Sequence, residues 1–158
     1  MNIIVAPHPD DEIIGCYKIL MIPEKIMIIY DGETPAFRRE EAMKLKDTFN
    51  LYGFNQIFLK SIPTSLMSEE NVFYFPDPIY ETHPLHRQWG MLGESLARTK
   101  MNVIFYTINK QTPYIHELSS SQVTEKEELL NKVYSGQKSL WEYEEKYILF
   151  EGYCKWIF

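Results

Sequence analysis

"NIIVAPHPDDEIIGCYKILMIPEKIMIIY", residues 2–30, contains two short apolar runs on either side of a helical pattern. The runs at 2–6 and 26–30 are rich in β-branched residues, as buried parallel strands are. Residues 11–21 lie between them and predict a helix that has Asp11 near its start. The stretch therefore indicates a strand–helix–strand unit, in which the two strands run parallel.

The alternation of strands and helices continues beyond this stretch. Strand patterns occupy residues 56–59, 71–75 and 102–108, and an edge strand is expected at 114–118. Helical patterns occupy residues 36–53, where Gly53 is a suitable C-cap, 83–99 and 124–146. The apolar tail at 147–158 is expected to pack back onto the domain or onto a partner. Strands that alternate with helices predict an α/β layer structure with right-handed crossovers.

Length and composition predict one globular domain over residues 1–158, since the chain has 45% hydrophobic and 24% charged residues. Its net charge of -6 argues against a nucleic-acid partner, because non-specific affinity for nucleic acid comes from clustered lysine and arginine. The sequence leaves open whether the protein forms a homo-oligomer.

The compartment is predicted from the two cysteines, Cys16 and Cys154. They provide neither a disulfide framework nor a CxxC metal site, which favours a reducing compartment. The first residues lack the basic region of a signal peptide, and no apolar run approaches the roughly 20 residues of a membrane helix. We therefore expect a cytoplasmic protein without a membrane span.

The turn after the first strand carries one imidazole, His8, and three carboxylates, Asp10, Asp11 and Glu12. An aspartate before a helix is a good N-cap, and the helix dipole favours acids there. A metal site is the alternative explanation, because ligands of open α/β sheets bind at the carboxyl ends of the strands. The turn alone does not decide between the two.

A second cluster, HPLH, places His83 and His86 three residues apart, so that they share one face of a helical turn. His8 and Asp11 have the same spacing. The two pairs supply a His/Asp/His set, and three protein ligands with an open position for water are what a catalytic zinc ion requires. Two exposed imidazoles at a helix N-terminus are the alternative interpretation of HPLH.

The segment APHPDDE (6–12), followed downstream by an HxxH pair, resembles the PIG-L/LmbE-type zinc-dependent N-acetylglucosamine deacetylases. The resemblance extends to the order of elements through residue 108. It implies a Rossmann-like three-layer sandwich with a mostly parallel central sheet. It also implies a hydrolase that uses Zn²⁺, or another divalent metal, to remove an acetyl group from a small-molecule amino-sugar conjugate.

The resemblance also implies a role for each residue of the two motifs. By position, His8, Asp11 and His86 would be the metal ligands. Asp10 would be the general base that takes a proton from zinc-activated water. His83 would stabilise the oxyanion and protonate the leaving amine.

The remaining site residues are expected around these motifs. Glu12 is expected to orient a ligand or to cap the helix. Arg38 resembles an arginine that precedes the family's second helix and would hold a phosphate or a sugar hydroxyl, although a solvated arginine near Glu41 is an equally good interpretation. Asp31 follows the second strand, near the predicted mouth of the site.

Two other functions fit parts of the pattern. Family members often have an acid between the paired histidines, where this chain has Leu85, so a non-catalytic binding module that retains a metal site is one alternative. The other is a non-haem iron oxygenase, because HPD plus a distant histidine matches the facial triad of two histidines and one carboxylate. The alternation of strands and helices disfavours the oxygenase, since those enzymes are usually β-rich barrels.

Overall fold

The computed structural model describes residues 1–22, 25–49, 55–108, 114–138 and 150–155. The strands are β1 (Asn2–Ala6), β2 (Ile26–Asp31), β3 (Asn55–Leu59), β4 (Val72–Pro76), β5 (Asn102–Thr107), β6 (Ile115–Glu117) and β7 (Phe150–Cys154). The helices are α1 (Asp11–Leu20), α2 (Ala36–Phe49), α3 (Pro84–Arg98) and α4 (Ser120–Val133), with short 3-10 turns at Thr64–Leu66 and Ser135–Gln137. None of the helices in these ranges combines the length and the apolar character needed to cross a bilayer.

The strands form one sheet in the order β3-β2-β1-β4-β5-β7-β6. β1 to β5 pair in parallel, whereas β7 runs antiparallel to both β5 and β6. The chain builds outward from β1 to β3 and then returns to place β4 on the other side of β1. The strand order therefore reverses between β1 and β4, which is the position where open α/β sheets bind their ligands.

Helices cover both faces of the sheet because alternate residues of each strand face opposite sides. Ile4 and Ala6 of β1 belong to the core cluster that includes side chains of α1, α2 and α4. Ile3 and Val5 belong to the second core cluster, to which α3 contributes Trp89. The predicted Rossmann-like three-layer sandwich with a mostly parallel sheet is confirmed.

The last described helix begins earlier than predicted. The helix was predicted to start at residue 124 because helix-forming residues fill 124–146. In the structure α4 starts at Ser120, where Ser119 and Gln122 form a capping box. Residues 139–149 and the predicted helix end at Gly53 lie outside the described ranges. Within the tail, residues 150–154 pack onto the domain as β7, as expected for so apolar a segment.

Helix α1 breaks at Cys16, whose φ of -133° and ψ of 26° are not helical. Two buried charged side chains form hydrogen bonds to backbone groups on either side of the break. Lys126 donates to the carbonyl oxygen of Ile14, and the Glu151 carboxylate accepts from the amide of Lys18. Because Lys126 lies on α4 and Glu151 on β7, the C-terminal part of the chain holds the helix that carries Asp11.

Stability should therefore depend on pH through Lys126. Burial lowers the pKa of this amine to about 8 from its ordinary 10.5, and the nearby Glu151 opposes the shift. Between these pH values the unfolded chain binds more protons than the folded one, so the free energy of unfolding gains a contribution that rises with pH. Urea unfolding should be measured for wild type and Lys126→Met at pH 8 and at about pH 10. The free energy of unfolding of wild type, relative to that of Lys126→Met, should be larger at the higher pH. A pH-independent difference would mean that the folded protein keeps this amine protonated.

Candidate metal centre

Both predicted motifs lie at the reversal of strand order. His8 follows β1 and Asp11 begins α1, whereas His83 and His86 open α3 after β4. The loop that leads from β4 to α3 is shaped by Asp77, a fully buried residue whose Oδ1 accepts from the amides of Ile79 and Tyr80. The fold thus brings together two motifs that are far apart in the sequence.

Three ligand-type atoms converge in this crevice. Asp11 Oδ2 lies 3.0 Å from His86 Nε2 and 3.4 Å from His8 Nδ1, and the two ring nitrogens are 3.0 Å apart. Ligands about 2.0–2.1 Å from a tetrahedral metal ion are separated from one another by about 3.3 Å. The spacing of these three atoms therefore fits the coordination of a single ion.

His83 lies next to these three residues, on the solvent-exposed side of the group. The ring nitrogens of His8, His83 and His86 lie within 4.8 Å of one another, so these histidines could hold a metal ion. His83 is also the N-cap of α3, where its Nδ1 accepts from the amide of Leu85 at 3.3 Å. A neutral ring that accepts at Nδ1 carries its proton on Nε2. Burial and the neighbouring His8 and His86 rings lower the pKa of His83 and favour this neutral form.

The orientation of His86 is fixed by Glu81, which the sequence analysis missed. Glu81 Oε2 lies 3.0 Å from His86 Nδ1, and its Oε1 accepts from the amide of Ile108 at 2.7 Å. A carboxylate at one ring nitrogen leaves the other free to coordinate a metal. The only signal for Glu81 in the sequence is an acid two residues before the HxxH pair.

Asp11 and His86 shift each other's ionisation strongly. Burial alone would raise the pKa of Asp11, but the His86 imidazole and the hydrogen bonds from His8 and His86 hold it well below its usual range. Burial alone would lower the pKa of His86, but Asp11 and Glu81 raise it to about 10. The centre therefore pairs the buried Asp11 carboxylate with positive charge on the His86 imidazole.

Asp10 occupies the N-cap position of α1, yet its side chain makes no capping hydrogen bond. Instead its Oδ1 lies 3.2 Å from Arg38 Nη2. Burial and the adjacent Asp11 raise the pKa of the Asp10 carboxyl well above its usual range, and Arg38 opposes them. The capping explanation of the acidic turn thus does not account for this side chain.

Glu12 lies fully buried behind the centre. Its Oε2 accepts the amide of Asp10 at 3.1 Å, and its Oε1 accepts the hydroxyl of Tyr134. Burial raises the pKa of Glu12 to about 7, against the hydrogen bond from Tyr134. Tyr134 was not among the predicted site residues, although Glu12 was expected in a supporting position.

A cavity of about 720 Å³ opens beside His8. Arg38 lines it and donates to the carbonyl oxygen of Pro9 at 2.8 Å. The Arg38 side chain is only 14% exposed, so the interpretation as a solvated arginine is wrong, and Glu41 instead binds Gly136 and Gln137.

Asp31, the last residue of β2, also lines this cavity. Its Oδ2 accepts the indole N–H of Trp89 at 3.0 Å, and its Oδ1 accepts the amide of Glu33. These contacts tie the end of β2 to α3 and fix the carboxylate at the cavity wall.

Comparison of the chain with protein-family models, with curated proteins and with solved structures gave no match. The site itself is therefore the basis on which a function can be argued.

Proposed function

We propose that this protein is a metal-dependent amidase of the PIG-L/LmbE type that removes the acetyl group from an N-acetylated amino sugar. The observation that carries the proposal is the convergence of His8, Asp11 and His86, whose ligand-type atoms lie 3.0–3.4 Å apart at the reversal of strand order. The buried carboxylate of Asp10 lies next to this set in the chain. A metal centre with an adjacent carboxylate is the arrangement that amide hydrolysis by activated water needs.

His8, Asp11 and His86 would hold the ion, and we infer Zn²⁺ because two imidazoles and one carboxylate are a common zinc ligand set. When bound, the ion supplies Lewis acidity, which lowers the pKa of water and polarises an amide carbonyl. Glu81 would keep His86 in the tautomer that presents Nε2.

Asp10 is the general base in this proposal. Its carboxylate takes a proton from water as the water oxygen forms a bond to the acetyl carbon. His83 donates its Nε2 proton in a hydrogen bond to the carbonyl oxygen, where negative charge develops. The carbon–nitrogen bond then breaks, the leaving amine takes the proton that Asp10 received, and acetic acid and a neutral amine are the first products. The acetic acid then gives its proton to the amine, so that acetate and an ammonium group remain.

This division of labour differs from the expectation that His83 protonates the amine. The Nδ1 atom of His83 is engaged by the amide of Leu85, so a neutral ring has one proton, on Nε2. His83 donates this hydrogen bond without transferring its proton, so the imidazole ring stays neutral throughout the reaction. The acid that family members often have between the paired histidines is then not required, and Leu85 is compatible with catalysis.

The cavity supports a sugar conjugate as the substrate. Its volume of about 720 Å³ is in the range of small-molecule sites and exceeds the needs of one acetyl group. Its wall carries both signs of charge, with Asp31 and Glu33 against Arg38 and Lys60. Such a wall can hydrogen-bond to several hydroxyl groups without selecting a strongly charged ligand.

We also infer a cytoplasmic protein. Cys16 and Cys154 are both free thiols in the structure, and Cys16 is buried. Free thiols of this kind persist in a reducing compartment.

The proposal is tested by incubating zinc-loaded protein with a panel of N-acetylglucosamine conjugates and measuring acetate and free amine together. Both products should appear in equal amounts, disappear after chelation and return when Zn²⁺ is restored. Turnover should not depend on oxygen, because no redox step takes part. Folded, metal-loaded protein that releases acetate from no member of the panel would instead favour a binding module.

A further inference from the structure

A series of hydrogen bonds runs from the edge strand β3 to the backbone of Asp10. It consists of Gln56 on β3, Tyr30 on β2, Tyr134 after α4, and Glu12 on α1. Tyr30, Tyr134 and Glu12 are fully shielded from solvent. The series thus connects β2, β3 and the residue after α4 to the turn that carries the proposed base.

The direction of these hydrogen bonds follows from the two ends of the series. Gln56 Nε2 contacts the Ala42 carbonyl oxygen at 2.8 Å and the Tyr30 hydroxyl at 3.0 Å, so it must be the donor to both. At the other end, Tyr134 has one hydroxyl proton and donates it to Glu12 Oε1. In the 3.4 Å contact between the two hydroxyl groups, Tyr30 is therefore the donor and Tyr134 the acceptor.

The other oxygen of Glu12 holds Asp10 in an unfavourable conformation. Asp10 has a φ of 114°, which residues with a side chain rarely adopt. Its carbonyl oxygen accepts from the amides of Ile13 and Ile14, and its own amide donates to Glu12 Oε2. Backbone strain of this kind persists only where the surroundings fix it from several sides.

We propose that Tyr134 is a positioning residue for Asp10, acting through Glu12. This inference rests on the proposed function, in which the Asp10 carboxylate takes a proton from water. Without the Tyr134 hydroxyl, the Glu12 carboxylate loses the donor that fixes one of its oxygens and can rotate away from the Asp10 amide. The base then points away from its target, while the three metal ligands keep their own contacts.

Tyr134→Phe tests the inference against Tyr17→Phe as the matched control. Tyr17 is equally buried, and its hydroxyl bonds Glu125, away from the metal centre. Tyr134→Phe should lower kcat about 10- to 100-fold, since positioning contacts of a site are typically worth this much. KM and zinc affinity should stay within about threefold of wild type, because substrate and metal contacts are untouched.

Equal kcat values for Tyr134→Phe and Tyr17→Phe would overturn the inference. So would a loss of zinc affinity that accounts for the loss of rate. If Tyr134→Phe does not fold, Tyr30→Phe removes the preceding donor and should lower kcat in the same direction by a smaller factor.

A second readout separates this inference from the proposed function. The backbone amide of Asp10, observed by ¹⁵N NMR, should change its chemical shift and lose protection from hydrogen exchange in Tyr134→Phe but not in Tyr17→Phe. This result is independent of any substrate. Wild type without acetate release would defeat the proposed function, whereas an unchanged Asp10 amide would defeat the positioning role.

Discussion

Replacing His86 by alanine should abolish tight binding of Zn²⁺ and, with it, acetate release. His86 is buried, and its Nε2 lies 3.0 Å from both Asp11 Oδ2 and His8 Nδ1. Outer contacts of metal ligands are worth about 10- to 100-fold in metal affinity, so removal of a ligand itself should cost at least the upper end of that range. Competition with a chromophoric chelator measures the affinity directly.

His116→Ala is the matched control, because His116 is an exposed histidine on β6. It should bind Zn²⁺ as wild type does. His83→Ala should also keep most of the zinc affinity, since in our proposal His83 contacts the substrate rather than the ion. Zinc affinity in His86→Ala equal to that of His116→Ala would contradict the proposed ligand set.

Replacing Asp10 by asparagine should lower kcat by about 10²- to 10⁴-fold while the protein stays folded and metal-loaded. The amide cannot take a proton from water, but it has the same shape, and its oxygen can still accept from Arg38. The chain offers Asp47→Asn as a control, because Asp47 is an exposed aspartate on α2. Steady-state kinetics should be combined with metal analysis of the same samples.

This experiment is informative because the turnover rate and the zinc content are measured separately on the same protein. Asp10→Asn that retains one equivalent of zinc and loses turnover would place the residue at the proton transfer. Full activity in folded, metal-loaded Asp10→Asn would remove Asp10 from the mechanism and leave the metal centre intact.

The meeting of the two histidine-containing motifs could be predicted because each motif is local in the sequence. His8 and Asp11 are three residues apart, as are His83 and His86, and each pair follows a strand of strongly apolar character. Parallel strands bring their carboxyl ends to one edge of the sheet, so the meeting of the two motifs follows from the α/β alternation. The sequence pattern was therefore sufficient to indicate where the two motifs meet.

The supporting residues could not be found in this way, because they depend on long-range packing. Tyr134 reaches Glu12 across 122 residues of sequence, through the packing of α4 onto α1. Glu81 contacts His86 from a loop that Asp77 shapes by accepting from the amides of Ile79 and Tyr80. No local periodicity encodes either contact.

The position of the C-terminal strand β7 in the sheet likewise could not be predicted from the local sequence. The apolar character of the tail predicted that it packs, yet not that β7 would enter the sheet between β5 and β6. β7 also carries Glu151, which is buried and accepts from the Lys18 amide of α1, although an acidic residue does not predict a core position. The start of α4, by contrast, was available in the sequence as the capping box of Ser119 and Gln122.

Anomalous diffraction from crystals of the zinc-loaded protein tests the ligand set most directly. Our account predicts one zinc peak about 2.0–2.2 Å from His8 Nδ1, Asp11 Oδ2 and His86 Nε2, without coordination by His83. A peak coordinated by His8, His83 and His86 without Asp11, or no peak in this crevice, would contradict it.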